Sequence, residues 1–502
     1  MSQSKVSRRL AEAIAPEVIE HVYRPRLAGE MVAVFPYLSA LNMAHLVMLA
    51  ERGILTSAQA RAIAGGLLRI EADGAESITP DPLLEDAYFN TEAKLIALVG
   101  ADSGGRLHIG RSRNDLSAAL DRMRARDALL ALLDGVNALR AVLLERAGKF
   151  ADVVVPGYTH LQPAQPITFG FYLSGLASAL ARDAARLADC WGRTNLSPMG
   201  AAALATTGFP IDRARTAELL GFDAVLEHGL DCVASRDFAL ELVSAAAQLA
   251  LTLSRFARDM HTAVSHEFAA IRFPDSVCGT SSIMPQKKNP VVLEHLLGKA
   301  SHVVAAFMSA ASCVRGGYFT NTLDVHREGL SMLWGGLAEA ERALALATIA
   351  ARTAEPEADM LLERARRNYS TATDLADTLV RDANMDFRTA HHVAGGVVRM
   401  LMDRNLGAHE ATLAMVDEAS QDVAGRPAGL SEAQLAQALD PAQAVASRTL
   451  PGGTAPSEVR RMVQAMQGVL AEDQTRAAAW RRQLDAAAKA RRRAVEALAA
   501  GA

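Results

Sequence analysis

The sequence predicts an all-α protein built around a central bundle of long helices. Half of the 502 residues are apolar and only 5% are aromatic, and alanine is abundant, which favours closely packed helices over a sheet. Several long stretches without proline also keep apolar residues at the spacing of a helix face. A chain of this length exceeds one ordinary core, so we expect two or three domains.

The first 110 residues alternate short helical patterns with breaks. Thr56 precedes one such pattern as a helix N-cap, and Gly74 marks its end. The stretch from Gly100 to Asp115 is rich in glycine and polar groups, which predicts a loop leading into a long helix. We therefore expect an N-terminal helical domain over residues 1–110.

Residues 111–354 hold the longest helical patterns. One runs without proline from Leu116 to Phe150, and others follow in TFGFYLSGLASALARDAARLADCW, in VVLEHLLGKA and beyond, and in VHREGLSMLWGGLAEAERALALATIAAR. From Leu242 to Met260 apolar residues recur every three or four positions, the spacing of a coiled-coil seam. Long helices need partners along their whole length, so this region predicts a central bundle domain. The seam suits packing between subunits and packing within one chain equally, and we expect it to contribute to a tetramer core.

The last part of the chain, residues 355–502, changes in character after Glu355-Pro356. Its helical patterns are shorter and more polar, with turns at NMDF, NLG and AGRPAG. This indicates a small C-terminal helical domain. The final stretch, TRAAAWRRQLDAAAKARRRAVEALAAGA, predicts a basic amphipathic helix on a solvated surface.

Composition argues against several classes of partner. The formal net charge of −4 favours neither nucleic acid nor an anionic membrane, and no uninterrupted apolar run is long enough to cross a bilayer. The N-terminal MSQSKVSRRLAEAIAPEV lacks the apolar core of a secretory signal. Four scattered cysteines without metal-ligand or redox spacing are typical of reduced thiols in the cytoplasm, where we expect the protein to act.

The most specific feature is the polar stretch CGTSSIMPQKKNP, which starts at residue 278. Its small residues predict a mobile loop beside a cleft, and Asn289 and Pro290 predict a helix start with Asn289 as the N-cap. Lys287, Lys288 and the positive end of that helix would together favour an anion. Ser281 could then serve as a nucleophile or a general base. The alternative is a surface turn that only caps a helix.

Two further polar breaks interrupt the long helices, RLHIGRSRND at 106–115 and PGYTHLQPAQP at 156–166. In the first, Arg111, Ser112, Arg113 and Asn114 form a compact group able to bind carboxylates and amides, or alternatively a salt-bridged surface loop. In the second, His160 is either a structural donor or a catalytic group. Each break adjoins an end of a bundle helix, so association of subunits could bring the three polar segments together.

The order S-S-x-M-P-x-K-x-N-P resembles the signature loop of the aspartase/fumarase superfamily, and the form SSIMPQKKNP resembles its argininosuccinate lyase branch. HIGRSRND, GYTHLQPAQP, ATDLADTLV, FRTAHH and GGTAPSEV are similar to that branch as well, so the resemblance covers most of the chain. It implies a three-domain helical subunit and a homotetramer in which three subunits meet at each active site. It also implies a small-molecule dicarboxylate substrate.

The activity that the resemblance implies is elimination of an amine from an N-substituted aspartate, with release of fumarate. Removing the proton next to a carboxylate builds charge on that carboxylate, which must be stabilised. The resemblance gives Ser281 as general base and pairs His160 with Glu294. It also implies a set of substrate-binding residues. These are Ser112, Arg113, Asn114, Thr159, Gln162, Lys287 and Asn289.

Metal and nucleotide sites are not indicated. His261, His266 and Glu267 lack the spacing of a helical zinc site, and the neighbouring pair His391 and His392 would diverge on a helix. The sequence also contains neither a P-loop nor a dinucleotide fingerprint, so we expect no cofactor.

The resemblance is weakest at positions that bind the arginine half of argininosuccinate. The departures there are Val291 for an acidic residue, Asn321 for tyrosine, His326 for glutamine, Gly329 for lysine and Tyr88 for histidine. In the signature loop, Thr280 stands where the pattern usually has glycine, but the position of Ser281 is intact. Three hypotheses follow. The protein is a lyase for another N-substituted aspartate, similar to the aminopolycarboxylate-type lyases of this branch, or it is an argininosuccinate lyase with an altered pocket. The third is a non-catalytic structural tetramer.

Overall fold

The computed structural model describes residues 12–501. Most of the N-terminal segment considered above for a secretory signal, residues 1–11, lies outside the described residues, as does residue 502. The described chain is mostly helical, with few and short strands, so the predicted all-α class is confirmed. Proline-free alanine-rich and leucine-rich segments favour this outcome because these residues lose little side-chain freedom in a helix.

The α-helices are α1 (Pro16–Val18), α2 (Arg24–Glu51), α3 (Ser57–Asp73), α4 (Ala87–Val99), α5 (Ala101–Gly104), α6 (Arg113–Lys149), α7 (Phe169–Asp189), α8 (Trp191–Thr194), α9 (Arg213–Leu220), α10 (Gly229–Ala234), α11 (Asp237–Val264), α12 (Val291–Arg315), α13 (Gly329–Thr353), α14 (Ala358–Arg367), α15 (Ala372–Asp382), α16 (Phe387–Asp403), α17 (Leu413–Ala424), α18 (Glu432–Leu439), α19 (Pro441–Ser447) and α20 (Pro456–Ala500). Two π-helical turns cover Ile19–Tyr23 and Asp324–Glu328, and 3-10 turns cover Ala75–Ser77, Pro82–Leu84, Gly105–His108, Asp275–Val277 and Ala408–Glu410.

Within residues 12–501, six short strands form three two-stranded sheets. They are β1 (Val154–Thr159), β2 (Gln162–Thr168), β3 (Leu196–Ser197), β4 (Ala224–Val225), β5 (Ile271–Arg272) and β6 (Glu355–Pro356). β1 and β2 form an antiparallel hairpin, β3 and β4 pair in parallel, and β5 and β6 are antiparallel. The turn of the hairpin carries the THLQ segment, which holds three of the predicted site residues.

A central bundle organises the chain. It consists of α6, α7, α11, α12 and α13, which pack side by side around one hydrophobic cluster. These five helices correspond to the five long patterns in the sequence. Their length is sustained because each buries an apolar face against a neighbour over several turns.

The seam on α11 packs inside the chain. Its six apolar residues are at most 3% exposed, and they belong to the same cluster as residues of α6, α7, α12 and α13. These residues are Leu242, Ala246, Leu249, Leu253, Phe256 and Met260. The structure therefore realises the intrachain alternative for this seam, and the seam gives no reason to expect a second subunit.

Three further hydrophobic clusters lie among residues 12–501, one of them a small group of Ala201, Cys232 and Val233. The other two are larger. One combines α2, α3 and α4 with the start of α6, and a smaller one combines α15 to α18. The last helix, α20, has an exposed polar face, as its basic amphipathic sequence predicts. Its other face packs on α6 and α7 in the bundle and on α2, α3 and α9 near the N-terminus. The predicted division at residues 110 and 354 stays a prediction.

Three helical segments are long and apolar enough to cross a membrane, judged by length and composition alone. They are Pro16–Glu51, α11 and α12. The sequence expectation considered only uninterrupted apolar runs, whereas these windows tolerate up to two charged residues. The first segment and α11 bury 72% and 56% of their apolar windows inside the protein, but α12 buries only 33%.

Candidate active site

The first candidate group lies at the start of α6. Ser112 is the N-cap: its side chain accepts from the backbone N–H of Asn114, and its own backbone N–H donates to Oδ1 of Asp115 at 2.9 Å. Arg113 is held from the other side, because its Nη1 lies 2.9 Å from Oε2 of Glu85 and 3.0 Å from Oδ2 of Asp86. This pairing fixes the guanidinium while its side chain stays 38% exposed.

Asp115 fastens a neighbouring loop to the same helix end. Its Oδ2 accepts the backbone N–H groups of Gly200 and Ala202, each at 2.9 Å. Burial raises the pKa of Asp115 to about 6, although its backbone donors, including Ser112, act to lower it. A buried carboxylate with three backbone donors is a rigid joint between α6 and the loop.

Asn114 joins that loop to a third segment. Its Nδ2 donates to the carbonyl oxygen of Ala203 at 3.0 Å, and its Oδ1 accepts from Nδ2 of Asn321 at 2.9 Å. Asn321, one of the departures from the branch pattern, therefore lies directly beside a predicted substrate-binding residue.

Tyr88, another departure from the branch pattern, joins one acidic and one basic side chain near this site. Its hydroxyl lies 2.6 Å from Oε1 of Glu92 and 2.6 Å from Nδ1 of His108. Burial, with help from the charges of Arg111 and Arg113, lowers the pKa of His108 to about 4. A phenol can donate one hydrogen bond and accept another, so Tyr88 satisfies both neighbours.

The second candidate group forms the tip of the β1–β2 hairpin. Thr159 pairs with Gln162, and the two residues between them, His160 and Leu161, have φ angles of 54° and 59°. Left-handed backbone is uncommon for residues other than glycine, although histidine adopts it more often than most, and it costs energy for a residue such as Leu161. The four tip residues are exposed. The imidazole of His160 is therefore presented outwards on a short turn of fixed shape.

The third candidate group is the loop before α12. Gly279 and Asn289 close its base by exchanging two backbone hydrogen bonds of 2.8 and 2.9 Å. Lys288 anchors its outer edge, with Nζ 2.7 Å from the carbonyl oxygen of Phe273 and 2.7 Å from Oδ1 of Asp275. The lysine lowers the pKa of the Asp275 carboxyl. Lys287 is exposed and has no such partner among the described residues.

Ser281 lies inside this loop and caps a turn. Its Oγ accepts the backbone N–H of Met284 at 3.0 Å and that of Ile283 at 3.4 Å. Ile283 is 83% exposed at the tip. Two N–H donors aimed at one oxygen favour its negatively charged form, so the capping contacts are compatible with a general base.

The start of α12 differs from the prediction by one residue. The helix begins at Val291 with Pro290 at the N-cap position, and no side chain caps it. Asn289 was the predicted N-cap, but its Nδ2 is directed back towards the carbonyl oxygen of Thr280 at 3.5 Å. The backbone bridge at the base of the loop fixes Asn289 and shifts the start. In the first turn, Glu294 lies 3.9 Å from Nε2 of His261.

The structure thus sorts the predicted site residues into three separate groups. Ser112, Arg113 and Asn114 share the start of α6, Thr159, His160 and Gln162 share the hairpin, and Ser281, Lys287, Asn289 and Glu294 share the loop and first turn of α12. Across residues 12–501, no hydrogen bond or ion pair joins one group to another. In particular, the expected partner of Glu294, His160, is not in contact with it within one chain.

Three acidic residues that hold the first group were missing from the predicted site. Asp115 had a sequence signal, because Ser112-x-x-Asp115 has the spacing of a capping box. Glu85 and Asp86 had none beyond their position before a helix, since their contacts with Arg113 span 28 and 27 residues of sequence.

Two family profiles match the chain. The one described as Lyase matches residues 32–305, and the one described as Argininosuccinate lyase C-terminal matches residues 369–446. Argininosuccinate lyase 1 of Shouchella clausii is 38% identical over 465 residues, which are 93% of this chain and 93% of the relative. The chain belongs to the argininosuccinate lyase family. It is therefore a carbon–nitrogen lyase of the fumarate-releasing kind, and the predicted resemblance and enzyme class are confirmed.

Other members of the family and superfamily agree. Argininosuccinate lyase of Halobacterium salinarum is 41% identical over 426 residues, 84% of this chain and 85% of the relative. The structure of an EDDS lyase in complex with formate is similar with a TM-score of 0.87 and 33% identity, covering 100% of this chain and 99% of that one. A class II fumarase of Schistosoma mansoni, 16% identical with a TM-score of 0.67 over 82% and 90% of the two chains, shares the fold.

Proposed function

We propose that this lyase cleaves an N-succinyl compound other than argininosuccinate, releasing fumarate and an amine that is not arginine. The observation that carries the proposal is that four positions that depart from the branch pattern carry no charge at neutral pH. They are Val291, Asn321, His326 and Gly329. In the argininosuccinate pattern two of these positions hold an acidic residue and a lysine. When the amine part of the substrate is arginine, it is highly charged. Such a group needs oppositely charged partners where it leaves water.

Two of the four positions are filled by apolar packing. Val291 packs under the signature loop, since a Cβ added to Gly279 would lie 2.7 Å from its Cγ1. Gly329 is buried against α12, and a Cβ there would lie 3.3 Å from Cβ of Cys313. These contacts leave neither a carboxylate nor an ammonium group at positions where the branch pattern has them.

The other two positions are polar but neutral. Nδ1 of His326 lies 2.6 Å from the carbonyl oxygen of Thr322, so that nitrogen carries the hydrogen. Burial and the charges of Arg236 and Arg327 lower the pKa of His326 to about 3, so the ring is uncharged at neutral pH. Asn321 is directed towards Asn114. The amine half would therefore meet neutral groups at all four positions.

We propose that the signature loop carries out the chemistry that the resemblance implies. Ser281 would take the proton from the carbon next to a carboxylate. The C–N bond would then break, its electron pair leaving with the nitrogen as the carbon–carbon double bond of fumarate forms. Lys287, Asn289 and the N-terminal end of α12 would stabilise the charge that develops on the carboxylate. The leaving amine must also gain a proton, which the His160–Glu294 pair or another group of the site would supply.

The remaining site residues would act from other subunits of a homotetramer. Within a single chain the three groups are separate, and the hairpin tip and signature loop are exposed, which is the arrangement expected of segments that complete one another between chains. The proposed contributions are Ser112, Arg113 and Asn114 from one subunit, Thr159, Gln162 and the His160 of a His160–Glu294 pair from a second, and Ser281, Lys287, Asn289 and Glu294 from a third.

The surface of the bundle supports assembly better than the α11 seam does. Only 33% of the apolar window of α12 is buried within the chain, and Met308 on α12 and Met332 on α13 are 58% and 60% exposed. Large apolar surfaces of this kind mark interfaces. We propose that they form the tetramer core, that the subunit has domains at 1–110, 111–354 and 355–502, and that the enzyme acts in the cytoplasm.

The test is to mix the purified protein with fumarate and a panel of amines, including arginine, diamines and amino acids, and to follow the loss of fumarate absorbance. The proposal expects adduct formation with at least one amine and none with arginine. Adduct formation with arginine alone would refute it.

Argininosuccinate lyase activity itself is the second candidate, favoured by 38% identity to a relative of that name over 93% of the chain. Reaction of a diamine or an amino acid but not of arginine would exclude it. A tetramer that reacts with no amine would leave the third hypothesis, a structural protein.

A further inference from the structure

We propose that Asn321 is a positioning residue that orients the carboxamide of Asn114 for substrate binding. In the branch pattern the position holds a tyrosine. In this protein the side chain of Asn321 acts instead through Asn114 of the same chain. The inference rests on the proposed function, because Asn114 is assigned there to substrate binding.

The orientation of both amides follows from one backbone group. A carbonyl oxygen only accepts hydrogen bonds, so the atom of Asn114 that lies 3.0 Å from the Ala203 oxygen must be Nδ2. Oδ1 of Asn114 then faces Asn321, which must present its own Nδ2 at 2.9 Å. If Asn321 were rotated by half a turn, two oxygens would face each other.

The carbonyl that sets this order is itself fixed. Ala203 directly follows Ala202, whose N–H donates to Asp115 at 2.9 Å. Ala202 has a φ of 52°, a left-handed backbone conformation that costs energy for alanine. The hydrogen bond to Asp115 helps to hold the loop in this conformation. The chain of contacts therefore runs from Asp115 through the loop to Asn114, and Asn321 closes it.

Asn321 is better placed to orient Asn114 than to bind a ligand. Its Oδ1 is buried and has no hydrogen-bond partner, so it is not available on the surface of the site. Leaving that oxygen unpaired costs energy, and the hydrogen bond to Asn114 is the contact that its orientation provides. Asn114 retains a second hydrogen on Nδ2. The hydrogen bonds to Ala203 and Asn321 fix the direction of this hydrogen, which can donate to a carboxylate.

The test is a double-mutant cycle. Asn321→Asp keeps the shape but replaces the donor with an acceptor, and Asn114→Ala removes the group on which it acts. Kinetic constants are measured for addition to fumarate of each amine that the wild type accepts. We expect Asn321→Asp to raise the KM for fumarate roughly tenfold, the worth of one hydrogen bond, by the same factor with every amine. In the Asn114→Ala background it should have no further effect.

Two more variants keep the test decisive. Asn321→Ser retains a hydroxyl donor and should recover part of the lost affinity. Asn405→Asp makes the same change in an exposed turn and should leave the KM unchanged. Light scattering and melting temperature identify variants that fail to assemble, in which case the serine variant supplies the cycle.

The outcomes separate the two proposals. An undiminished effect of Asn321→Asp in the Asn114→Ala background, or an effect that depends on the amine, would overturn the positioning role while leaving the proposed function intact. If the wild type adds no amine to fumarate, the proposed function fails and this inference fails with it.

Discussion

Replacing Ser281 by alanine separates the catalytic assignment from a purely structural one. In the structure the hydroxyl accepts two backbone hydrogen bonds, at 3.0 and 3.4 Å, on a loop whose tip is solvent-exposed. Losing a cap of this kind costs about 1 kcal/mol of stability. In a protein of this size that corresponds to a fall in melting temperature of about 2 °C or less.

The expected effect on rate is much larger. A positioned general base contributes roughly 10²-fold to 10⁴-fold to turnover, which is about 3 to 5 kcal/mol of transition-state stabilisation. Ser281→Ala should therefore lose at least roughly 10²-fold in kcat. Its affinity for the N-succinyl substrate should remain, because Lys287, Asn289 and Arg113 are expected to hold the carboxylates independently.

The assay is turnover and substrate affinity, measured beside melting temperature to exclude unfolding. The matched control is Ser282→Ala, which changes an exposed neighbour that makes none of the capping contacts. Near-normal turnover in Ser281→Ala would refute the base assignment. Equal losses in both variants would show that the loop is sensitive to any change and that the hydroxyl of Ser281 has no special role.

Three more outcomes are expected. Refolding His160→Ala together with Ser281→Ala should restore activity, because some mixed tetramers contain a site with neither lesion; a mixture that is tetrameric but inactive would contradict the shared site. Lys287→Met should raise the substrate KM roughly tenfold or more, because a cationic partner of the substrate carboxylate is lost. Lys288→Met should have a mild effect, since Lys288 is already paired with Asp275. Steady-state kinetics of both variants decide this, and equal effects would contradict it. The raised pKa of Asp115 means that its contribution to the free energy of unfolding is present below pH 4 and is lost as the pH rises to about 6. Denaturant unfolding of Asp115→Asn should therefore lack this fall in stability with pH. A difference from wild type that is constant with pH would contradict the assignment.

Periodicity was sufficient to predict the helices of the bundle. The apolar spacing that predicted a helix from Leu116 to Phe150 corresponds to a helix over Arg113–Lys149. Periodicity carries no information about which surface covers an apolar face, however. The seam from Leu242 to Met260 is therefore compatible with any apolar partner, and only the three-dimensional packing identifies that partner as the chain itself.

The candidate site was predictable as three segments but not as a set of contacts. Ser281 and its neighbours stand out because small, polar and cationic residues are concentrated in one loop. The contact between Asn114 and Asn321 joins positions 207 residues apart, and no local pattern signals it. The start of α12 was displaced for a similar reason, since the bridge between Gly279 and Asn289 competes with capping by Asn289.

The long final helix α20 has a consequence for how the protein is made. At 45 residues it extends about 68 Å. Near its middle Trp480 stacks on Trp191 with ring centroids 4.4 Å apart, and Val495, close to its end, is fully buried in the N-terminal cluster.

A ribosome synthesises residues of α2 and α3 several hundred codons before Val495. The N-terminal cluster therefore stays incomplete until Val495 has been synthesised, and apolar surface on the nascent chain remains uncovered for that whole time. At about 5 to 20 residues per second this exposure lasts from tens of seconds to over a minute. Holding chaperones are thus expected to matter for the yield of this protein, and a chain that terminates between Trp480 and Val495 should aggregate.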